Sequence, residues 1–406
     1  MKTWICLGLL AALALSLLPG SGVPAVDAQG TRLVLAFYYG WYNGGTWADG
    51  RLIDRPAEPY DSGDRGAMAR QIGQAQSAGI DAFVMSWYGP DNAINTAIFE
   101  SLLDQAASQG FFIAADVDLG SAEFNATPEA TLNTLRYLIA NLIHRPAYLR
   151  YEGKPVIFFW NQGRFTAQQW TDIRAQVDPN HDTIWIAEGD ALQYLGVFDG
   201  LCLYNIAWSR NPTATAANWA QNVARRNAYW VATAMPGWDD SRMGRGDAAF
   251  ITARQDGAFF RNTFNAAAAS NPHMLIITSW NEYFENSYIE PSQVYGTFYL
   301  DLARELIAAY KAGGAPPTAP AGGAVPGPQT SAGLVAIPIT STLNVRQAPS
   351  PDAARVAQVT LNNRYPLLAR NADGSWWLID YGGGQGWIAA QYARYEGGDI
   401  NALPVQ

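Results

Sequence analysis

The sequence predicts an α/β chain in which a (β/α)8 barrel of TIM type is followed by a small all-β domain. Three observations carry this. Between residues 33 and 311, apolar runs of strand length alternate with helical segments through eight strands, the pattern of repeated βα units. The runs are continuous rather than alternating, as strands of a parallel sheet buried on both faces must be. Beyond them, residues 313–333 form a Gly/Ala/Pro/Thr-rich run without charge; it buries too little surface to order itself and reads as a linker.

The first strand is expected over 33–38, then a helix over 68–78 with Ile72 and Ala75 on one face. The second strand spans 80–87 and its helix 98–107, which carries Leu102 and Leu103. The third strand, 111–117, leads to a helix over 128–143, where Leu132, Leu135, Ile139 and Ile143 repeat at helical spacing. Strand four is 156–160 with a helix at 167–177; strands five and six are 183–187 and 201–204. A helix at 215–226, strand seven at 230–235, a helix at 259–269, strand eight at 274–278 and a closing helix at 299–311 complete the count. A doubly wound open sheet is the rival, but Tyr38-Tyr39-Gly40-Trp41-Tyr42 is aromatic where that fold carries a glycine-rich dinucleotide turn.

Residues 1–28 read as a signal peptide: Lys2, an apolar run over 5–18 and a small-residue cleavage site at Val26-Asp27-Ala28. The run is shorter than a bilayer span requires. The expected organisation is therefore signal 1–28, barrel 29–312, linker 313–333, all-β module 334–396 and tail 397–406, in an exported protein that is extracellular or held at the cell surface. Of the 2 cysteines, Cys6 leaves with the signal, and Cys202 sits inside an apolar run, the place of a buried strand residue rather than of a nucleophile. The net charge of −9 excludes the basic face a nucleic acid would need. The 3 histidines, His144, His181 and His273, all lie away from the strand ends, so neither a zinc cluster nor a Ser-His-Asp triad is expected.

In such barrels the active site lies past the carboxyl ends of the strands. There the first strand delivers Tyr38, Tyr39, Trp41 and Tyr42, the second Trp87 and Tyr88, the third Asp116 and Asp118, the fourth Trp160 and Asn161. The fifth delivers Glu188 and Asp190, the sixth Tyr204, Asn205 and Trp208, the seventh Trp238, Asp239, Asp240 and Arg242. The eighth ends in Trp280, Asn281, Glu282 and Glu285, with Glu290 beyond. Rings that pack on flat sugar faces, interleaved with acids and amides for hydroxyls, suit a glycan. Cleavage of a glycosidic bond needs one protonated carboxyl and a second as base or nucleophile. Glu282 and Glu285 are the candidates. Three apart, they would point to opposite faces of a strand but share a face in a helical turn, so the strand must end before them. Asp116-Val117-Asp118 has the spacing of a metal and nucleotide-sugar motif, yet an exported protein would not meet such donors and two acids alone make no Mg²⁺ site. No metal or organic cofactor is expected.

The module after the linker carries Leu343-Asn344-Val345-Arg346-Gln347-Ala348-Pro349, then Trp376-Trp377-Leu378-Ile379, then Gly386-Trp387-Ile388. It resembles a bacterial SH3-like domain over its full length, with Trp376, Trp377 and Trp387 as fold residues; that resemblance implies a small all-β barrel and a cell-wall or surface ligand. The first domain resembles glycoside hydrolase family 99, the endo-α-mannosidase family. The matching stretches are Tyr38-Tyr39-Gly40-Trp41-Tyr42, residues 79–89 (GIDAFVMSWYG), Tyr151-Glu152-Gly153-Lys154-Pro155-Val156, Met235-Pro236-Gly237-Trp238-Asp239-Asp240 and Trp280-Asn281-Glu282-Tyr283-Phe284-Glu285. The resemblance implies a retaining hydrolase in which Glu282 is the base that helps the sugar's own 2-hydroxyl attack the anomeric carbon and Glu285 the acid that protonates the leaving oxygen. Two departures stand out: Asn286 where the family usually has Gly, and Asp118-Leu119-Gly120 where its third strand ends in Glu-Pro-Tyr. Residues 285–289 also resemble the α-1,3-glucanase family. An α-glucan hydrolase, or a barrel that binds carbohydrate or cell wall without cleaving it, are the alternatives.

Overall fold

The computed structural model describes residues 32–313 and, from 334 to 406, all but 339–341, 352, 361–362, 382–383 and 398–399. The expected signal peptide, and the expected linker apart from Gly313, lie outside the described residues. Those described fall into two compact units, 32–313 and 334–406. Among them no helix is long and apolar enough to cross a membrane.

The first unit is a closed parallel barrel. Its strands are β1 (Leu33–Tyr38), β2 (Ala82–Trp87), β3 (Phe112–Asp118), β4 (Lys154–Trp160), β5 (Ile184–Glu188), β6 (Gly200–Cys202), β7 (Tyr229–Ala234) and β8 (Met274–Ile277). They follow the order β3-β2-β1-β8-β7-β6-β5-β4, and a parallel β3–β4 pairing, Ala115 opposite Ile157 through Asp118 opposite Trp160, closes the ring. Seven long helices surround it: α1 (Arg65–Ser77), α2 (Ala93–Gln109), α3 (Pro128–Asn141), α4 (Ala167–Val177), α5 (Pro212–Ala224), α6 (Ala258–Ala269) and α7 (Phe298–Lys311). Between β5 and β6 the chain crosses in a single 3-10 turn, Leu192–Tyr194, because the connection is short and carries Gly189 and Gly196 at positive φ.

Helix starts follow from local chemistry. Asp64 and Asn92 cap α1 and α2, Thr127 caps α3 ahead of Pro128, and Thr166 with Gln169 makes a capping box on α4. α7 buries Leu300, Leu302, Ala303, Leu306 and Ile307 against the barrel.

Side chains alternate along each strand. On β1 Phe37 points into the barrel, its ring 6.2 Å from Phe158 and 5.2 Å from Tyr204, while Tyr38 points out and stacks on Phe83 at 4.9 Å. On β4 Phe158 is inside and Phe159 outside, against Trp170, Trp185 and Phe198. This alternation decides which residues at the strand ends reach the mouth.

The second unit is an antiparallel sheet of β9 (Val335–Pro338), β10 (Thr342–Arg346), β11 (Arg355–Thr360), β12 (Tyr365–Arg370), β13 (Trp376–Asp380), β14 (Gln385–Ala389) and β15 (Ala393–Glu396), ordered β11-β10-β14-β13-β12-β9-β15. Val345, Val359, Ile379 and Ile388 fill its core with Trp377. Trp387 is buried as well and Trp376 half-buried. The last residues are held to it: Arg370 N–H donates to Pro404 O at 2.9 Å and Gln406 N–H to Arg370 O at 2.9 Å.

β6 is thin where it squeezes between β5 and β7. A Cβ on Gly200 would lie 2.6 Å from Ile186 Cδ1 and 2.7 Å from Tyr229 O, and the latter is backbone that cannot turn aside. Gly200→Ala is therefore expected to lower stability by ~1–3 kcal/mol with the fold kept, read as a lower urea midpoint; an unchanged midpoint would mean the strands part freely there.

Candidate active site

β8 stops at Ile277, and the chain then folds back on itself. Ser279 N–H donates to Ser287 O at 2.7 Å, Ser287 N–H to Glu282 O at 3.2 Å and Glu290 N–H to Trp280 O at 2.9 Å. The strand thus ends before Glu282, as the two-carboxylate reading requires. Asn286 stands at φ +53°, in the left-handed region where glycine is at ease and Asn is the next most tolerated residue. Its side chain also donates to Asp239 O at 2.9 Å, so the turn keeps its shape without glycine.

Asn281 is fully buried and clasps the end of β1. Its Oδ1 accepts from Tyr39 N–H at 2.8 Å, and its Nδ2 donates to Tyr39 O at 2.9 Å and to the Tyr60 hydroxyl at 3.0 Å. Tyr39, so fixed, shares a 2.6 Å hydrogen bond with the Tyr204 hydroxyl, which donates to Glu285 Oε2 at 3.2 Å. Arg245 Nη2 meets Glu285 Oε1 at 2.5 Å, and its Nη1 meets Asp240 Oδ2 at 2.8 Å. Asp240, itself buried, takes the Phe250 N–H at 2.8 Å. Glu282 accepts backbone N–H groups, that of Phe284 at 2.9 Å on Oε1 and that of Glu285. Burial, then the charge of Glu285, holds the Glu282 carboxyl well above the ordinary range. Burial raises Glu285 too, against the pull of Arg245 and of the Tyr204 hydroxyl. The guanidinium and the phenol, which Glu282 lacks, favour the ionised form of Glu285.

Across the mouth, Asp118 accepts from the Ser86 hydroxyl at 2.9 Å and from Gly120 N–H at 2.7 Å. Burial raises its carboxyl, and raises Asp116 well above its usual value, with Asp118 and Glu188 adding to the latter. Burial pushes Glu188, which takes the Tyr204 N–H, up to about 7. Rings frame these acids: Tyr39 on Trp41 at 4.5 Å, Trp160 edge-on to Tyr204 at 4.7 Å, Trp238 stacked on Phe250 at 5.8 Å, and Tyr88 near Phe124. Among the described residues no set of three or more His, Cys, Asp or Glu converges as a metal site would. Cys202 is buried, which pushes its thiol well up.

Several expected substrate contacts sit elsewhere, two of them, Tyr38 and Trp87, because alternation turns them outward. Tyr38, Trp87 and Trp280 lie in the layer between strands and helices: Tyr38 donates to Gln71 at 2.9 Å, Trp87 Nε1 to Thr96 at 3.1 Å, and Trp280 packs 5.2 Å from Phe83. Asn281 is occupied in full by its clasp on β1. Glu290 is enclosed behind the site, taking Gln71 Nε2 at 2.7 Å and the hydroxyls of Tyr283 and Tyr60 at 3.1 and 3.2 Å. Asn161 is an exposed left-handed turn residue, and Asp239 spends its carboxylate on the Ser241 hydroxyl and N–H. Arg242 reaches out to Gly50 O, and Arg245, which sequence reasoning missed, takes the place beside the acid. Both arginines share one loop, and nothing in its composition says which turns inward.

The family model for "Glycosyl hydrolase family 99" matches residues 55–310, and that for "Bacterial SH3 domain" residues 341–393. The "Glycoprotein endo-alpha-1,2-mannosidase" of Mus musculus is 21% identical over 357 residues, 70% of this chain and 76% of that protein. The rat protein of the same name is 22% identical over 60% of this chain, which spans only 58% of its length. The structure of the GH99 endo-alpha-mannosidase from Bacteroides thetaiotaomicron shares the barrel at a TM-score of 0.61, with 20% identity over 69% of this chain and 97% of that one. A "Glycoside hydrolase-like protein" follows at a TM-score of 0.54 and 17% identity, over 71% of this chain and 97% of that one. The barrel and the all-β module that the sequence leads one to expect are thus both found.

Glu290 offers a test of this buried layer. Burial holds its carboxyl at about 7 against an ordinary 4.5, so the folded chain keeps the proton where the unfolded chain has lost it. Its contribution favours folding fully below pH 4.5 and declines as pH rises to about 7. Urea unfolding between pH 4.5 and 7.5 should show wild-type stability falling by about 3 kcal/mol more than that of Glu290→Gln; parallel pH dependences would show that Glu290 ionises freely.

Proposed function

The chain belongs to glycosyl hydrolase family 99, and from that membership we propose that its barrel cleaves α-linked glycans of α-mannan type with retention, Glu282 acting as base and Glu285 as general acid. The observation that carries the reading is the buried carboxyl pair on one turn beyond β8, in unlike surroundings. Two interacting acids whose environments differ can hold one proton between them, the state that acid–base cleavage starts from.

Glu282 in its ionised form takes the proton of the sugar's 2-hydroxyl as that oxygen bonds to the anomeric carbon. The glycosidic bond breaks as Glu285 gives its proton to the leaving oxygen. In the second half, Glu285 takes a proton from water as the water oxygen bonds to the anomeric carbon, the C1–O2 bond opens, and Glu282 returns the proton to O2. The two inversions sum to retention. The rings at the mouth, Tyr39 on Trp41 and Trp160 edge-on to Tyr204, support the sugar reading. The mannose reading rests on the names of the relatives. An α-glucan is the second reading, since residues 285–289 resemble the α-1,3-glucanase family and β3 ends in Asp118-Leu119-Gly120 rather than Glu-Pro-Tyr.

In the same proposal the protein is exported by its first 28 residues, and the SH3-like module holds it at cell-wall or surface polymer. The barrel needs no metal in this scheme.

Glu282→Gln and Glu285→Gln should each lower kcat by about 10² to 10⁴-fold with unchanged circular dichroism. Defined α-mannans and α-glucans, followed by NMR, report linkage and anomeric outcome. Wild-type protein that binds such glycans and releases no reducing ends would sink the hydrolase reading in favour of a binding protein, and inverted product would remove the role given to the 2-hydroxyl.

A further inference from the structure

The catalytic scheme leaves Arg245 unused. It is borne on the loop between two short strands, Trp238–Asp239 and Ile251–Thr252, which pair antiparallel. That loop is stitched to the turn bearing Glu285, since Asp239 N–H donates to Glu285 O at 2.9 Å and Asn286 Nδ2 to Asp239 O at 2.9 Å. The guanidinium is fixed from behind by buried Asp240, which the Phe250 N–H holds in turn. It lies over the Trp238 ring, 5.8 Å from the centroid. From this seat its other nitrogen reaches Glu285 Oε1 at 2.5 Å, while Oε2 takes the Tyr204 hydroxyl at 3.2 Å. Both oxygens of the acid are thus held, and the carboxyl plane is set.

We propose that Arg245 is a positioning residue of the reaction, orienting Glu285 and setting its charge state through an ion pair anchored on Asp240. The inference rests on the reading of Glu285 as the acid. The groups facing Glu285 are Glu282 on its own turn, Tyr204 after β6 with Tyr39 behind it, and Asp240 and Arg245 on the loop. Arg245 is the one cation among them. A fully exposed pair would be worth little, but here the carboxylate end is mostly buried, with 13% of its side chain exposed against 42% for the arginine, so solvent screens it less.

The consequence lies in the proton. With Arg245 in place the charge of the pair is drawn to Glu285 and the proton to Glu282. The productive arrangement, Glu285 protonated and Glu282 ionised, is then the minor form of the singly protonated pair, a share that does not change with pH. Without the cation, Glu285 keeps its proton to higher pH.

The test is the pH profile of kcat/KM for the full chain, wild type against Arg245→Gln and Arg245→Lys. The alkaline limb of Arg245→Gln should move up by about one pH unit, with Arg245→Lys between it and wild type. A limb that stays in place while activity drops by the same factor at every pH would overturn the proposal and leave Arg245 as a loop prop. Carbon-13 NMR of the Glu285 carboxyl in the free protein needs no turnover: its midpoint should rise by the same amount in Arg245→Gln, and an unmoved midpoint would overturn the proposal. If the midpoint rises in a chain that cleaves no glycan, the ion pair stands and the hydrolase reading falls.

Discussion

The ring of eight strands needs a join between its first and last members, and at the mouth that join is made by a side chain. The backbone ladder between β8 and β1 ends at Ile277 opposite Ala36, followed by Trp280 N–H to Phe37 O. Asn281 then takes over, accepting from the N–H and donating to the C=O of Tyr39 as a paired strand residue would. With the backbone of Tyr39 fixed, its hydroxyl can meet Tyr204, and Tyr204 can meet Glu285. The next residue after the clasp is Glu282. A single buried amide thereby sets the positions of both carboxyls, and it can do so because both its hydrogen-bonding groups are satisfied where solvent does not compete.

Electrostatics at the mouth follow from burial. Asp116, Asp118, Glu188, Glu282 and Glu285 come from the ends of β3, β5 and β8, and burial raises every one. What separates them is their bonds. Asp118 has the Ser86 and Tyr88 hydroxyls and a backbone N–H, Glu282 backbone N–H groups, and Glu285 a guanidinium and a phenol. Alike in type, the two acids of the pair thus become unlike in chemistry. Behind them, Glu290 with Gln71, Tyr60 and Tyr283 forms a closed polar network that fastens the β8 loop to α1.

Much of this was legible in the residues. The strand count, the placing of Glu282 and Glu285 beyond the eighth strand, and the need for that strand to end early follow from run length and period. The departure at Asn286 loses its weight once its φ is known, since Asn tolerates the left-handed region that favours glycine. Misplaced were residues whose position within a strand looked right but whose face was wrong. Tyr38 and Trp87 are one residue out of phase with the mouth, and a one-residue offset turns a strand side chain to the opposite face; Trp280 lies past the end of β8 and is packed against Phe83. The absence of a long helix between β5 and β6 was visible only as a short connection.

By itself the sequence determined the class of fold, the division into barrel and all-β module, and the turn that carries the acids, because period and composition are local properties that short stretches of chain express on their own. Only the tertiary structure decided which rings face the mouth, that Asn281 serves the backbone rather than a ligand, and that Arg245 rather than Arg242 stands beside Glu285. Those outcomes depend on the facing of strands and the course of a loop relative to a turn some forty residues away, contacts that exist only once the ring has closed.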